Sequence, residues 1–205
     1  SLTSMTDVTH LCHFDIPLLS GIPNLVYLAP TNRDEYLAML NWSITYTQHP
    51  VAIRVPVGLT KPADRPVDTD YSVLNRYEMV HKGSKVAVLA LGNFFELGEK
   101  VCTQLEAHGI DATLINPRFI SGIDTEMLNN LSRNHSVVVT LEDGAIEGGF
   151  GEKIARYLGA SSIKTLCYGA KKQFADRYKP ADFLAENRLV DTMIADDVMH
   201  NLQNE

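Results

Sequence analysis

Lys85-Val86-Ala87-Val88-Leu89-Ala90-Leu91 is the stretch on which the reading of the fold turns. A strand with one wet face alternates apolar and polar residues; six apolar residues in succession leave no face for water. This segment therefore reads as a strand buried on both sides. Downstream the pattern repeats with regularity. Phe94, Leu97, Val101 and Leu105 recur at helical spacing, and Gly109 ends that helix by accepting a left-handed conformation. Asp111 to Asn116 is a strand, and Asp124 caps a helix carrying Met127, Leu128 and Leu131. Ser136 to Leu141 is a strand, Gly148 to Leu158 a helix, and Ser162 to Cys167 a strand. Helices over Pro180 to Glu186 and Thr192 to Leu202 close the chain. Apolar strands alternating with helices imply a mainly parallel, doubly wound α/β sheet with right-handed crossovers.

Upstream of the quoted strand the texture changes. Lys82-Gly83 makes a turn, Tyr71 to Val80 reads as an antiparallel strand, and Val57 to Thr69, with Gly58, Pro62 and Pro66, reads as a linker. Before it, Leu25 to Ala29 is a strand, Asn32 with Glu35 forms a variant capping box, and Arg33 to Tyr46 is a helix. Val51 to Val55 is a second strand. Two strands and one helix cannot cover both faces of a sheet, so this region reads as part of a larger domain. The expected division is 1–60 as a partial domain, 61–80 as linker and first strand, and 81–205 as a complete α/β domain.

Bulk properties narrow the function classes. A formal net charge of −7 and no basic run beyond Lys171-Lys172 argue against nucleic-acid binding. No apolar run approaches the roughly 18 residues of a membrane span, so no membrane partner is expected. Three scattered cysteines, Cys12, Cys102 and Cys167, fit a reducing compartment, and with no signal peptide the expected location is cytoplasmic.

Thr6 to Asp15 (TDVTHLCHFD) is the densest polar constellation. Cys12, His10, His13 and Asp15 match no standard zinc spacing, so no metal site is expected. A Cys12–histidine nucleophile pair has no evident activating partner, and spacing alone leaves a polar loop feeding a strand equally open. Gly148-Gly149-Phe150-Gly151 lacks the lysine and hydroxyl ending of a phosphate-binding loop, and Glu142, Asp143 and Glu147 beside it would repel phosphate. It reads as a tight turn packing a helix on the sheet.

The order of several segments resembles the 1-deoxy-D-xylulose-5-phosphate synthase branch of the transketolase family over nearly the whole chain. Thr9-His10, Phe14-Asp15-Ile16, Gly21-Ile22-Pro23-Asn24-Leu25, Ala29-Pro30-Thr31-Asn32 and Val51 to Gly58 resemble the end of that family's pyrimidine-binding domain. Thr140 to Gly151 (TLEDGAIEGGFG) resembles its C-terminal domain. The resemblance implies a partial pyrimidine-binding-domain sheet followed by a transketolase C-terminal domain. It also implies a parent enzyme, a transferase using thiamine diphosphate and Mg²⁺, that joins pyruvate to glyceraldehyde 3-phosphate.

By position, His10 matches the family's active-site histidine, suited to proton transfer near neutrality. Arg54 matches an arginine that holds the substrate phosphate. Asp7, Thr9 and Asp15 match polar positions of the same site. Two departures stand out: Asp7 is displaced by one residue, and Val57 replaces the family's second arginine. The diphosphate-binding Gly-Asp-Gly…Asn motif does not occur in this sequence, so no cofactor is expected on this chain alone, and the expected partners are the enzyme's N-terminal region and a second copy in a homodimer. A transketolase C-terminal half, a 2-oxoacid dehydrogenase β subunit and a non-catalytic association module remain as alternatives.

Overall fold

The computed structural model describes residues 2, 13–55, 61–175 and 178–203. Its centre is a five-stranded sheet in the order β3-β5-β4-β6-β7, formed by Glu78–His81, Thr113–Asn116, Lys85–Ala90, His135–Ala145 and Lys164–Ala170. All neighbours are parallel except β3, which lies antiparallel on the edge against β5. The quoted stretch is the middle strand, and its alternate residues feed two separate cores. Val86, Val88 and Ala90 pack with Leu105, Ile194 and Val198, whereas Ala87, Leu89 and Leu91 pack with Ile115, Val138 and Phe150. Fully burying a Val or Leu contributes roughly 1.5–3 kcal/mol, which is why this strand tolerates no polar alternation.

The helices are α1 (Asp15–Ser20), α2 (Arg33–Thr45), α3 (Phe95–Ala107), α4 (Thr125–Asn134), α5 (Phe150–Leu158), α6 (Pro180–Glu186) and α7 (Asp191–Gln203). Helix α3 starts after a single 3₁₀ turn at Gly92–Phe94. Gly98 brings α3 close over β4, because a Cβ there would lie 2.5 Å from that of Ala90. Among the described residues no helix is long and apolar enough to cross a membrane.

The first region forms a two-stranded parallel sheet, β1 (Val26–Leu28) with β2 (Val51–Ile53), crossed by α2. Helix α2 starts as its sequence dictates: the Asn32 side chain accepts from Glu35 N–H at 2.9 Å, and the Glu35 carboxylate accepts from Thr31 N–H at 2.7 Å. The far edge of β1 is covered by the segment after β5. Ala29 N–H donates to Arg118 O, Ile120 N–H donates to Tyr27 O, and Leu28 bridges Phe119. Ile16, Tyr27 and Ala29 thereby join the same core as β4 and β6. A buried polar link adds to this, since Asn116 donates to Glu35 at 2.9 Å and to Glu78 at 3.2 Å. Burial raises the Glu35 pKa, against the donors of Thr31 and Asn116.

Three expectations need correction. The antiparallel strand begins at Glu78 rather than Tyr71, because Asn75 takes a left-handed φ of 64° and Arg76 O is committed to the Arg118 side chain. Strand β6 runs to Ala145 rather than Leu141, since Ala145 still pairs with Ala170 after a register shift. The polar loop read over Thr6 to Asp15, whose residues before 13 lie outside the described ones, gives way to helix α1 already at Asp15, ahead of β1. The stretch read as a linker, Val57 to Thr69, is anchored at two points among its described residues: Ala63 N–H donates to Asp34, and Arg65 lies 4.6 Å from the Phe95 ring centroid.

The tight α3–β4 approach yields a test. Gly98→Ala is expected to lower stability by about 1–3 kcal/mol through overpacking against Ala90, read as a fall in the urea midpoint at unchanged m-value.

Candidate functional site

The C-terminal end of β6 carries two adjacent buried acids. Glu142 is fully buried and Asp143 is 1% exposed, an arrangement that requires partners for both charges. Alternation sends them to opposite faces. Glu142 turns toward α5, where its two carboxylate oxygens accept the N–H groups of Phe150 and Gly151, each at 2.8 Å. The glycines make room for it, since a Cβ on Gly149 would lie 2.3 Å from a Glu142 oxygen and 2.5 Å from Ala145 O. The start of α5 is thus occupied by the chain's own carboxylate, and the Gly-Gly-Phe-Gly turn is a packing turn rather than a phosphate cradle.

Asp143 turns toward the first region and meets Arg54, which lies just past β2. The Arg54 side chain is 9% exposed. Its Nε donates to Asp15 Oδ2 at 2.6 Å and its Nη2 to Asp15 Oδ1 at 3.3 Å, a two-pronged pairing. Its Nη1 donates to Asp143 Oδ2 at 3.3 Å and its Nη2 to Asp143 O at 2.7 Å. Burial works against the guanidinium charge, but Asp143 and Asp15 outweigh it and raise the pKa. Asp15 is held in turn by Tyr27 Oη at 2.8 Å, and Asp143 by Asn93 Nδ2 at 3.3 Å and Leu2 N–H at 2.5 Å. One cation thus joins α1, β2 and β6, with the turn before α3 attached through Asn93.

Of the residues singled out from sequence, Asp15 and Arg54 come together here; Asp7, Thr9, His10 and Val57 lie outside the described residues. Arg54 was expected to hold a phosphate, and in this geometry its fork faces two carboxylates instead. A phosphate would have to displace Asp15 or Asp143 to reach it. Sequence reasoning placed Asp143 only beside the Gly-Gly turn and gave Asn93 no role. The available signal was position: Asp143 lies at, and Asn93 just beyond, the C-terminal end of a parallel strand, where sites of α/β sheets gather.

Fold and site together define a doubly wound α/β domain with a strand–helix–strand unit clasped to it through a buried arginine. The family profile described as "Transketolase, C-terminal domain" matches residues 75–184, and the chain belongs to that family. Its relatives include the 1-deoxy-D-xylulose-5-phosphate synthase of Gloeothece citriformis (strain PCC 7424), 32% identical over 197 residues, covering 93% of this chain and 31% of the relative. The enzyme of the same name from Clostridium tetani (strain Massachusetts / E88) is 33% identical over 193 residues, with the same two coverages. The chain therefore spans about a third of the length of these relatives. Among solved structures, a split-gene transketolase described as an inactive β4 tetramer superposes with a TM-score of 0.82 at 23% identity, over 96% of this chain and 63% of that one. A Campylobacter jejuni transketolase superposes with a TM-score of 0.72 at 16% identity, over 97% and 30%. These two likenesses concern the fold.

Two tests follow from the site. Arg54→Met leaves the buried Asp143 and the half-buried Asp15 without their cation and is expected to cost about 3–5 kcal/mol of stability; Arg54→Lys, which keeps the charge and loses the fork, should cost less, as urea unfolding would read. Burial raises Glu142 to about 7, against the pull of the Gly151 and Phe150 N–H groups, from the usual 4.5. The folded chain then keeps a proton that the unfolded chain has released. The Glu142 contribution to stability is accordingly full below pH 4.5 and is lost as pH rises through about 7. The stability gap between the parent chain and Glu142→Gln should narrow over that window; a widening gap contradicts the assignment.

Proposed function

We propose that this chain is the C-terminal portion of a thiamine-diphosphate-dependent 1-deoxy-D-xylulose-5-phosphate synthase, the parent condensing pyruvate with glyceraldehyde 3-phosphate and releasing CO₂. The observation that carries the reading is collinear identity of 32–33% to such synthases across 93% of the chain, through both the strand–helix–strand unit and the C-terminal domain. The geometry of the first unit supports a larger assembly. Among the described residues β2 pairs only with β1, and a two-stranded parallel sheet is too small to stand alone. On α2, Leu37 and Ile44 share one face and are both exposed. The open edge of β2 and this apolar face suit further strands and helices from the enzyme's N-terminal region.

The described residues do not fit the cofactor's diphosphate. The start of α5 is filled by Glu142, and Arg54 is matched by Asp15 and Asp143. The reading therefore assigns diphosphate and Mg²⁺ to the N-terminal region, with this chain contributing little or no cofactor affinity and no turnover by itself. Within the parent, His10 is assigned proton transfer at the reacting carbon, with Asp7 and Thr9 beside it. Asp15 and Arg54 then act together to fix α1, the helix that follows the His10 segment. A phosphate contact by Arg54 remains part of the reading only if one of its carboxylates withdraws when substrate binds. A second copy completes the assembly in this reading, in the cytoplasm.

The test is direct. In the full-length enzyme, His10→Ala is expected to lower kcat with pyruvate and glyceraldehyde 3-phosphate by roughly 10²- to 10⁴-fold, leaving the thermal midpoint unchanged. Unchanged turnover would remove His10 from the site. Turnover with a ketose-phosphate donor in place of pyruvate would move the parent to the transketolases.

A further inference from the structure

His13 is 2% exposed, yet its Nδ1 has no hydrogen-bond partner. Its Nε2 lies 3.2 Å from Tyr178 Oη. The ring sits 5.4 Å from Phe183, 5.9 Å from Tyr178 and 6.1 Å from Phe14, centroid to centroid. Its carbonyl accepts Ala145 N–H at 2.8 Å. Residue 13 thus fastens the chain both to the end of β6 and to the segment ahead of α6, immediately before α1 presents Asp15 to Arg54.

We propose that His13 is a proton-sensitive latch: neutral, it holds α1 against the C-terminal sheet; protonated, it releases α1 and with it the grip of Asp15 on Arg54. The neutral imidazole suits its pocket, with an apolar surround and one phenol for a partner. Adding a proton turns Nδ1 into a second donor with no acceptor and places a charge among aromatic rings, both costly when buried. The ionisable groups facing it pull in opposite directions: Asp143 from β6 and Asp15 from α1 favour the cation, Arg54 past β2 opposes it, and Tyr178 ahead of α6 contributes a neutral hydroxyl. Burial is the largest influence and lowers the pKa below 6.5. For a base whose folded pKa is depressed, its share of stability is present above the unfolded value and is lost as pH falls toward the folded one. The latch opens on acidification whichever reaction the parent enzyme performs, so it stands apart from the synthase reading.

The experiment is an NMR titration of the 205-residue chain from about pH 8 to about pH 5, the range in which imidazoles change charge. It follows the His13 ring and the exchange of the Leu18 amide, which donates to Phe14 O within α1. The imidazole should titrate below 6.5. Across that transition Leu18 exchange, corrected for its intrinsic pH dependence, should accelerate by at least about tenfold, the factor one unit of proton linkage gives. His13→Phe, which keeps a ring and cannot titrate, should abolish the transition; should it fail to fold, His13→Gln serves the same purpose. Titration at or above 6.5, Leu18 protection insensitive to pH, or an unaltered transition in the variant would overturn the proposal.

Discussion

The structure depends on one buried cation. Arg54 stands where the end of β2, the first turn of α1 and the end of β6 converge, and it bonds to Asp15 and Asp143 at once. Two carboxylates share one guanidinium, and Tyr27 and Asn93 donate into the same cluster. Such a cluster is costly to assemble and more costly to break, because any missing member leaves a charge or donor stranded in a low dielectric. Its effect is on geometry. It fixes the strand–helix–strand unit on the C-terminal domain at one orientation, where apolar contact between Ile16, Tyr27, Ala29 and the main sheet would by itself be less selective.

The acidic pair at the end of β6 serves two purposes by alternation. Glu142 faces α5 and satisfies its first N–H groups; Asp143 faces Arg54. A single strand end thereby secures a helix on one side and the neighbouring unit on the other. The glycines that follow are explained by the same carboxylate, since any side chain on Gly149 would intrude on Glu142.

Much of this was legible in the sequence. The all-apolar run from Val86 to Leu91 fixes a central strand, and the Asn32–Glu35 pair fixes the start of α2, because local chemistry decides both. The end of β6 was not legible, because Glu142-Asp143-Gly144 reads as solvated turn chemistry until distant partners are supplied. The partners of Arg54 show the same limit. Whether an arginine meets a substrate or a carboxylate depends on Asp15, which lies 39 positions away in sequence, and on Asp143. Helix α1 escaped notice because a six-residue helix has little periodicity, and Pro17 in its first turn reads equally as a turn.

Native-state hydrogen exchange tests most directly whether the clasp makes one body of the two sheets. The Arg54 amide donates to Leu28 O at 2.8 Å in the first unit, and the Leu91 amide donates to Leu141 O at 2.9 Å in the main sheet. If the clasp holds, the two amides exchange through a common opening with equal free energies. Exchange of Arg54 through a separate low-energy opening, with Leu91 still protected, would contradict the account.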